Sequence, residues 1–227
     1  MKKIVISFLF FTFISYQSLA QSFVSDNVKF GLNIGTNLLD LKQEEFFDKY
    51  DGKLSYSVGI SFEIKVSKKI SLLSNINYDN KIVESERFGI PDDFGNPSEF
   101  TAKNRLKFNY INIPVFARYY FGKNNRLNIN AGGFYNYLLD VKSETKVNQT
   151  SEMINPFPIN NIIQNSDYGL LIALGYQFNL SNHQITIDLR NEIGLANITK
   201  NQTFFTEAFS ELKTNTIKLM LNWKLPI

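Results

Sequence analysis

The residues best placed to do chemistry are charges spaced two apart. Asp188, Arg190 and Glu192 alternate with Ile187, Leu189, Asn191 and Ile193. In an extended chain that spacing puts the three charges on one face. Arg118 and Lys218 lie in segments with the same alternation and are candidates to pair with them. Inside a barrel, such a set reads either as a path for ions or protons or as a polar plug, since buried charges need partners. A narrow barrel filled by its own side chains favours the plug.

Other reactive groups are sparse. Membrane-barrel hydrolases and acyltransferases use histidine with serine or a carboxylate as base and nucleophile. His183 is the one histidine, and it sits in a short connector beside Asn182. There is no cysteine, hence no thiolate nucleophile, thiolate metal ligand or disulfide framework. Asp92, Asp93 and Asn96 offer oxygens for calcium but lack the ligand spacing of a dedicated loop. Beside Gly95 and Pro97 they read as turn residues. No catalytic residue, metal site or cofactor is therefore expected. Lys plus Arg number 24 against 21 for Asp plus Glu, with two lysines in the first three residues. No basic arm or stripe points to nucleic acid.

The elements that would position those charges have period two. In 55–66, Tyr56, Val58, Ile60, Phe62, Ile64 and Val66 alternate with Ser, Gly, Glu and Lys. The same sorting recurs in 28–39, 70–81, 108–121, 127–141, 168–180, 184–197 and 215–225, giving eight strands. Several are near the ~9–11 residues that cross a bilayer at a tilt. Pro114 inside the fourth predicts a bulge or bend there.

Connector lengths alternate. Residues 67–69, 122–126 and 181–183 are short links, whereas 40–53, 82–107, 142–167 and 198–214 are long. Short turns on one side and long loops on the other are the pattern of an outer-membrane barrel. Phe30, Phe62, Tyr119, Phe121, Tyr176, Phe178 and Trp223 then ring the short-turn end, and Tyr56, Tyr78, Tyr135, Tyr137 and Tyr168 the long-loop end. Two aromatic belts around an aliphatic band suit the two membrane interfaces. A soluble ligand-binding barrel would put its apolar face inward. Here the opposite face carries Lys29, Glu63, Lys65, Arg118, Asp188, Arg190, Glu192, Lys218 and Lys224, too polar for a greasy cavity.

The N-terminus reads as an export signal. Lys2 and Lys3 precede an apolar run from Ile4 to Ile14, and Ser18-Leu19-Ala20 supplies a small-x-small cleavage site. The run is shorter than the about 20 residues of a spanning helix. The expected organisation is a cleaved signal peptide at 1–20, a short periplasmic segment at 21–27 and the barrel at 28–227.

Several segments resemble the PorT-like outer-membrane β-barrel family: Tyr110-Ile111-Asn112-Ile113-Pro114 with Arg118-Tyr119-Tyr120-Phe121-Gly122, Ala131-Gly132-Gly133-Phe134-Tyr135, Asp167-Tyr168-Gly169-Leu170 with Gly175-Tyr176, and Gly194-Leu195-Ala196-Asn197-Ile198. The resemblance implies an outer-membrane barrel and, through one member that serves gliding-type secretion machinery, a link to secretion. The end of the chain, Leu225-Pro226-Ile227, departs from the terminal aromatic common in such barrels, leaving Trp223 nearest that role.

The long loops are apolar. Phe46 and Phe47 lie in the first, Met153-Ile154 and 157–163 in the third, and Phe204, Phe205 and Phe209 in the last. Such clusters either receive a protein partner or cap the barrel.

The expectation is an all-β, eight-stranded antiparallel up-and-down transmembrane β-barrel in the outer membrane of a Gram-negative bacterium, both termini periplasmic. Its partners are outer-membrane lipid and a protein at the outer loops, with no nucleic acid. The first functional reading is a non-enzymatic scaffold or interaction component. A narrow pore through the charged lumen is second, and a lipid-modifying enzyme third.

Overall fold

The computed structural model describes residues 27–42, 50–92, 94, 96–148, 153–154, 163–180, 183–200 and 211–225. The proposed signal peptide and the rings of Phe46, Phe47, Phe204, Phe205 and Phe209 lie outside the described residues.

The strands are β1 (Val28–Lys42), β2 (Tyr50–Lys53), β3 (Ser55–Lys65), β4 (Ile70–Ser85), β5 (Phe88–Pro91), β6 (Pro97–Phe121), β7 (Leu127–Val147), β8 (Met153–Ile154), β9 (Ser166–Leu180), β10 (His183–Gly194) and β11 (Lys213–Lys224). Eight of them form a ring in the order β1, β3, β4, β6, β7, β9, β10, β11, every neighbour antiparallel. β11 closes onto β1 from Gly31↔Lys224 to Lys42↔Lys213. Closure leaves no ring strand with an unpaired edge, as a spanning sheet requires. Both described chain ends lie at the short-turn end.

The alternation resolves as expected. Ile34, Ile60, Leu72, Ile129, Leu174, Leu189 and Leu219 are exposed on the outside, while Asn33, Ser61, Asn75, Asn130, Asp188 and Lys218 are buried within. Outward aromatics pack in both belts. Phe30 meets Phe62 at 5.3 Å and Tyr176 meets Phe178 at 4.8 Å at one end, and Tyr56 meets Tyr78 at 6.1 Å at the other. The short turns are tight: in 122–126, Gly122 (φ 77), Asn124 (φ 62) and Asn125 (φ 53) take left-handed conformations that Gly and Asn tolerate.

Three expectations need correction. Parts of the expected loops 40–53, 82–107 and 142–167 are strand: β1 runs on to Lys42 and β2 covers Tyr50–Lys53, β4 and β6 pair up to Glu84↔Arg105, and β6 and β7 up to Ala102↔Val147. β6 alone has 25 residues, more than twice the ~10 that cross a bilayer, so a sheet stands above the ring. The period of two persists there with its polarity reversed. Leu106 and Phe108 point inward, while Lys103, Arg105 and Lys107 are partly exposed on the outside.

Second, Pro114 makes no bulge: it stays in register with Phe134, and the β4–β6 ladder skips Ile113 and Pro114 but resumes at Asn77↔Asn112 in the same register. The bulge lies between Asn109 and Tyr110, where β7 carries Leu139 as its extra residue. Inward positions of β7 are therefore Phe134, Asn136 and Leu138 below the bulge and Val141 above it. Third, the interior is not polar throughout. Its long-loop end is an apolar cluster of Leu39, Leu41, Val83, Leu106, Phe108, Tyr110, Leu138, Val141, Ile163, Ile198 and Leu212.

The assignment of faces predicts opposite responses to charge. Leu219→Lys, at mid-height on the outside, should destabilise the barrel in lipid vesicles by about 2–4 kcal/mol. Leu219→Ile should be nearly silent. A denaturant titration of refolded protein reads the difference, and equal stabilities would place Leu219 out of the hydrocarbon.

Candidate functional site

The candidate site is the lumen. Its layers follow the inward residues of β6 from the short-turn end: Tyr120, Arg118, Phe116, Asn112, Tyr110, Phe108 and Leu106, all buried. Tyr120, Arg118 and Asn112 each hydrogen-bond a group from another wall, whereas the buried Tyr110 hydroxyl has no hydrogen-bond partner among the described residues.

At the short-turn end, Lys224 of β11 forms an ion pair with Glu63 of β3, and Tyr120 donates to Glu63 Oε1 at 2.9 Å. One layer up, Arg118 crosses the lumen to Asp188 of β10, with Nη2 donating to Oδ2 at 2.7 Å. Its Nε donates to Asn130 Oδ1 at 2.7 Å. The same Asp188 oxygen accepts from Arg190 Nη2 at 3.1 Å and from the Asn222 amide at 2.9 Å. Gly175 makes room for this carboxylate, because a Cβ there would collide with Asp188 Oδ1 and the Asn128 amide. The Phe116 ring sits beneath both guanidinium groups, 5.9 Å from Arg118 and 5.0 Å from Arg190. Contact of this kind offsets part of the cost of burying arginine.

The next layer centres on Lys218 of β11. Its Nζ donates to Asp79 Oδ2 at 2.6 Å, Glu192 Oε1 at 2.8 Å and Asn112 Oδ1 at 3.1 Å. All three donors of the ammonium are thereby used. Ser57 donates to the other Asp79 oxygen at 2.6 Å. Lys81 approaches Glu192 at 3.9 Å and donates to Thr216 at 3.2 Å. Asp167 closes the polar part, with Oδ2 accepting from Asn136 at 3.1 Å and Thr214 at 2.8 Å. Above it begins the apolar cluster, with Tyr110 under the Lys81 ammonium at 5.3 Å.

The five residues expected to form the charge network are all buried, and they divide into two centres. Arg118, Asp188 and Arg190 form one; Lys218 and Glu192 form the other with Asp79 and Lys81. Sequence reasoning left Asp79, Lys81 and Asp167 out of the network, and left the Glu63–Lys224 pair unjoined. Asp79 and Lys81 share the parity of Asn75 and Asn77, which was the available signal. Among the described residues, the buried cations Lys81, Arg118, Arg190, Lys218 and Lys224 face the buried carboxylates Glu63, Asp79, Asp167, Asp188 and Glu192. The counts match, although Asp167 accepts only from the neutral Asn136 and Thr214 and makes no ion pair.

Elsewhere, His183 begins β10 at the short-turn end, where its Nδ1 accepts from Trp223 Nε1 at 3.3 Å. Asp92 Oδ1 accepts from the backbone N–H of Phe94 at 2.9 Å and of Asn96 at 2.8 Å. That carboxylate braces a hairpin tip. Asp93 lies outside the described residues. No group of three or more His, Cys, Asp or Glu arranged for a metal occurs among the described residues.

The two centres differ in redundancy, which sets a mutational order. Asp188 keeps Arg118 when Arg190 is removed, whereas Lys218 is the close partner of both Asp79 and Glu192. Lys218→Met should cost about 3–5 kcal/mol, the loss expected when a buried pair is broken. Arg190→Met should cost less, and Ile217→Leu on the outer face least. Unfolding in lipid vesicles gives the ranking, and parity of Lys218→Met with Ile217→Leu would contradict the inward placement of Lys218.

In fold the chain is similar to the Yersinia pestis attachment invasion locus protein Ail, at 11% identity over 88% of this chain and 99% of that one, TM-score 0.38. It is likewise similar to neisserial surface protein A, at 12% identity over 87% and 97%, TM-score 0.42. A third is OprG of Pseudomonas aeruginosa, at 13% identity over 88% and 95%, TM-score 0.37. No curated protein matches the sequence. A family model described as the outer membrane protein beta-barrel domain matches residues 17–200. The chain, an antiparallel ring whose outside is apolar and whose inside is ion-paired, belongs to the outer membrane protein beta-barrel domain family.

Proposed function

We propose that the protein is a non-conducting, non-enzymatic outer-membrane barrel that serves the envelope as a scaffold or interaction component. The carrying observation is the double closure of the lumen. A stack of ion pairs and hydrogen bonds from Glu63–Lys224 to Asp167 fills the membrane level, and the apolar cluster from Leu39 to Leu212 lies over it. A solute would have to break cross-lumen pairs and then cross a greasy cap, and an ion would lose its hydration at both. The pore reading draws on the same buried charges, which run through most of the lumen. Against it stands the commitment of each Lys218 donor to a fixed partner.

The non-enzymatic reading is supported by the state of the reactive groups. The lone histidine is held by Trp223 at the short-turn end, and the buried acids neutralise cations or accept hydrogen bonds. Activity then resides in the part that leaves the membrane: the sheet of β4, β6 and β7 with β2, β5 and β8 on its margins. The motifs shared with PorT-like barrels support an association with secretion or envelope assembly. The loop bases also contribute to the cap, since Ile163, Ile198 and Leu212 are buried and Ile163 bridges Thr199. The phenylalanines beyond them remain candidates for a partner site.

Placement of the long strands outside the cell, and both termini in the periplasm, follows from the turn lengths. The cysteine-free chain allows a direct check. Single cysteines at Asp92 or Lys146 should react with an impermeant maleimide on intact cells, and those at Ser67 or Asn124 should not. Reversal of the pattern would invert the orientation.

In planar bilayers the refolded protein should show no steady single-channel openings. Reproducible unitary conductance, lost on Lys218→Met, would replace the scaffold reading with the pore.

A further inference from the structure

The two ends of the barrel treat their cations differently. At the long-loop end Lys42 stands beside Asp40, Arg105 beside Glu84, Lys107 beside Glu144, Lys142 beside Asp140 and Lys213 beside Glu211. At the short-turn end the inward Lys224 is paired with Glu63. Among the described residues, no ion pair reaches Lys29, Lys65, Lys68, Lys69, Lys123 or Arg126.

Carboxylates are scarce at this end in the sequence itself. It is built from 27–34, 60–76, 115–131, 174–190 and 220–227, where Glu63 and Asp188 are the acidic side chains. Glu63 is held by Lys224 and Tyr120, and Asp188 lies a layer deeper on Arg118 and Arg190. Asp26, next to Asn27, lies outside the described residues. With Asp26 and the carboxylate of Ile227 both counted against the six, four cations are still left over.

The six form a continuous arc. Lys29 faces Glu63 across the β1–β3 ladder, and the Lys65 N–H donates to Asn27 O at 2.8 Å. Lys29 and Lys65 are therefore diagonal neighbours on the inward face, within about 7–8 Å of each other. Next along the rim the two short turns touch. Asn125 Nδ2 donates to Lys68 O at 3.5 Å, and the Tyr120 N–H donates to Lys69 O at 2.8 Å. Arg126 O accepts from the Gln177 N–H at 2.7 Å, which ties the arc to β9. Ser67 Oγ accepts from the N–H of Lys69 at 3.2 Å and of Ile70 at 3.1 Å, fixing the first turn. The lysines thus extend from a preset frame, and a ligand need not order the backbone.

Position selects the occupant. Lys29 and Lys65 face the opening of the ring, on the far side of the wall from lipid phosphates. A single small anion would meet only part of the arc. Successive residues of an extended chain rise ~3.3 Å each, so a run of acidic residues supplies carboxylates closely enough to follow it.

We infer that the short-turn mouth docks an acidic segment of another protein, one carboxylate lying between Lys29 and Lys65 and its neighbours along Lys68, Lys69, Lys123 and Arg126. By the orientation proposed above, that partner is periplasmic. The inference rests on the scaffold reading, to which it adds a class of partner. Conductance tests that reading separately, so a non-conducting barrel that binds no acidic peptide removes this inference alone.

The test uses the folded full-length barrel in phosphatidylcholine nanodiscs, which leave both ends accessible. The probe is a hexaglutamate peptide carrying an uncharged dye, read by fluorescence anisotropy. Lys29→Gln/Lys65→Gln and Lys68→Gln/Lys69→Gln/Lys123→Gln should each weaken binding at least about fivefold, the sum of several exposed charge contacts. Lys103→Gln/Lys146→Gln, on the projecting sheet, should bind like the native chain. Both short-turn variants should melt no lower than the native protein, because like charges have been removed. Carbodiimide, which joins a carboxylate to an amine in contact with it, should couple the peptide to Lys29 or Lys65. Equal affinity of the native chain and the short-turn variants, or coupling only at Lys103 or Lys146, would overturn the inference. Displacement of the peptide by inorganic phosphate or by soluble peptidoglycan fragments at equal charge would also overturn it, assigning the arc to a free anion or to the cell wall.

Discussion

Ion pairs that cross the lumen hold this barrel together, and much of the rest follows from them. Arg118 on β6 reaches Asp188 on β10, and Lys218 on β11 reaches Asp79 on β4, so walls distant in sequence are joined by charge-assisted hydrogen bonds. Each such group would be prohibitive to bury alone. The interior is therefore all-or-none: every cation needs its carboxylate in place, and the five buried cations share Glu63, Asp79, Asp188 and Glu192. A tie of this kind also fixes register. A one-residue slip in any ring strand would send its charges into lipid and its leucines into the lumen.

A second constraint acts along the barrel axis. The parity of a strand does not change with height, but its surroundings do. At membrane level the outside is hydrocarbon and the inside is ion-paired. Above Tyr78, Tyr135 and Tyr168 the outside is water, and the same alternation carries Arg105 and Lys107 outward with Leu106 and Phe108 inward. The extra residue Leu139 re-phases β7 near this level and brings Val141 into the apolar cluster. The molecule has two stacked interiors, one polar and one apolar, and the strands run through both.

That stacking directs attention away from the lumen. The membrane-level interior consumes its own charges internally, and the upper interior excludes water. What remains is the outer face of the projecting sheet, where Lys107 pairs with Glu144, Lys142 with Asp140 and Arg105 with Glu84.

Much of this was legible in the chain. Period two sorted Tyr56 through Val66 onto one face, turn lengths ordered the eight ring strands, and Asp188, Arg190 and Glu192 were placed inside by parity alone. These features are local: a strand's faces and a turn's length depend only on nearby residues. The projecting sheet was missed because an apolar outward face served as the signature of a strand, and 97–107 carries the inverse pattern. A bulge or bend was expected at Pro114; the ladder to β4 does lapse there, but the bulge falls at Leu139, where only the pairing with Asn109 and Tyr110 reveals an unmatched residue. The partners of the charges were the least accessible. Parity says that Lys218 is inside, but whether it meets Asp79 or Asp188 depends on strand stagger and on the span of a closed ring. The sequence by itself thus determined which side of the wall each residue faces. Only the tertiary structure decided which residues meet across it, because contacts between walls are set by closure and not by any local period.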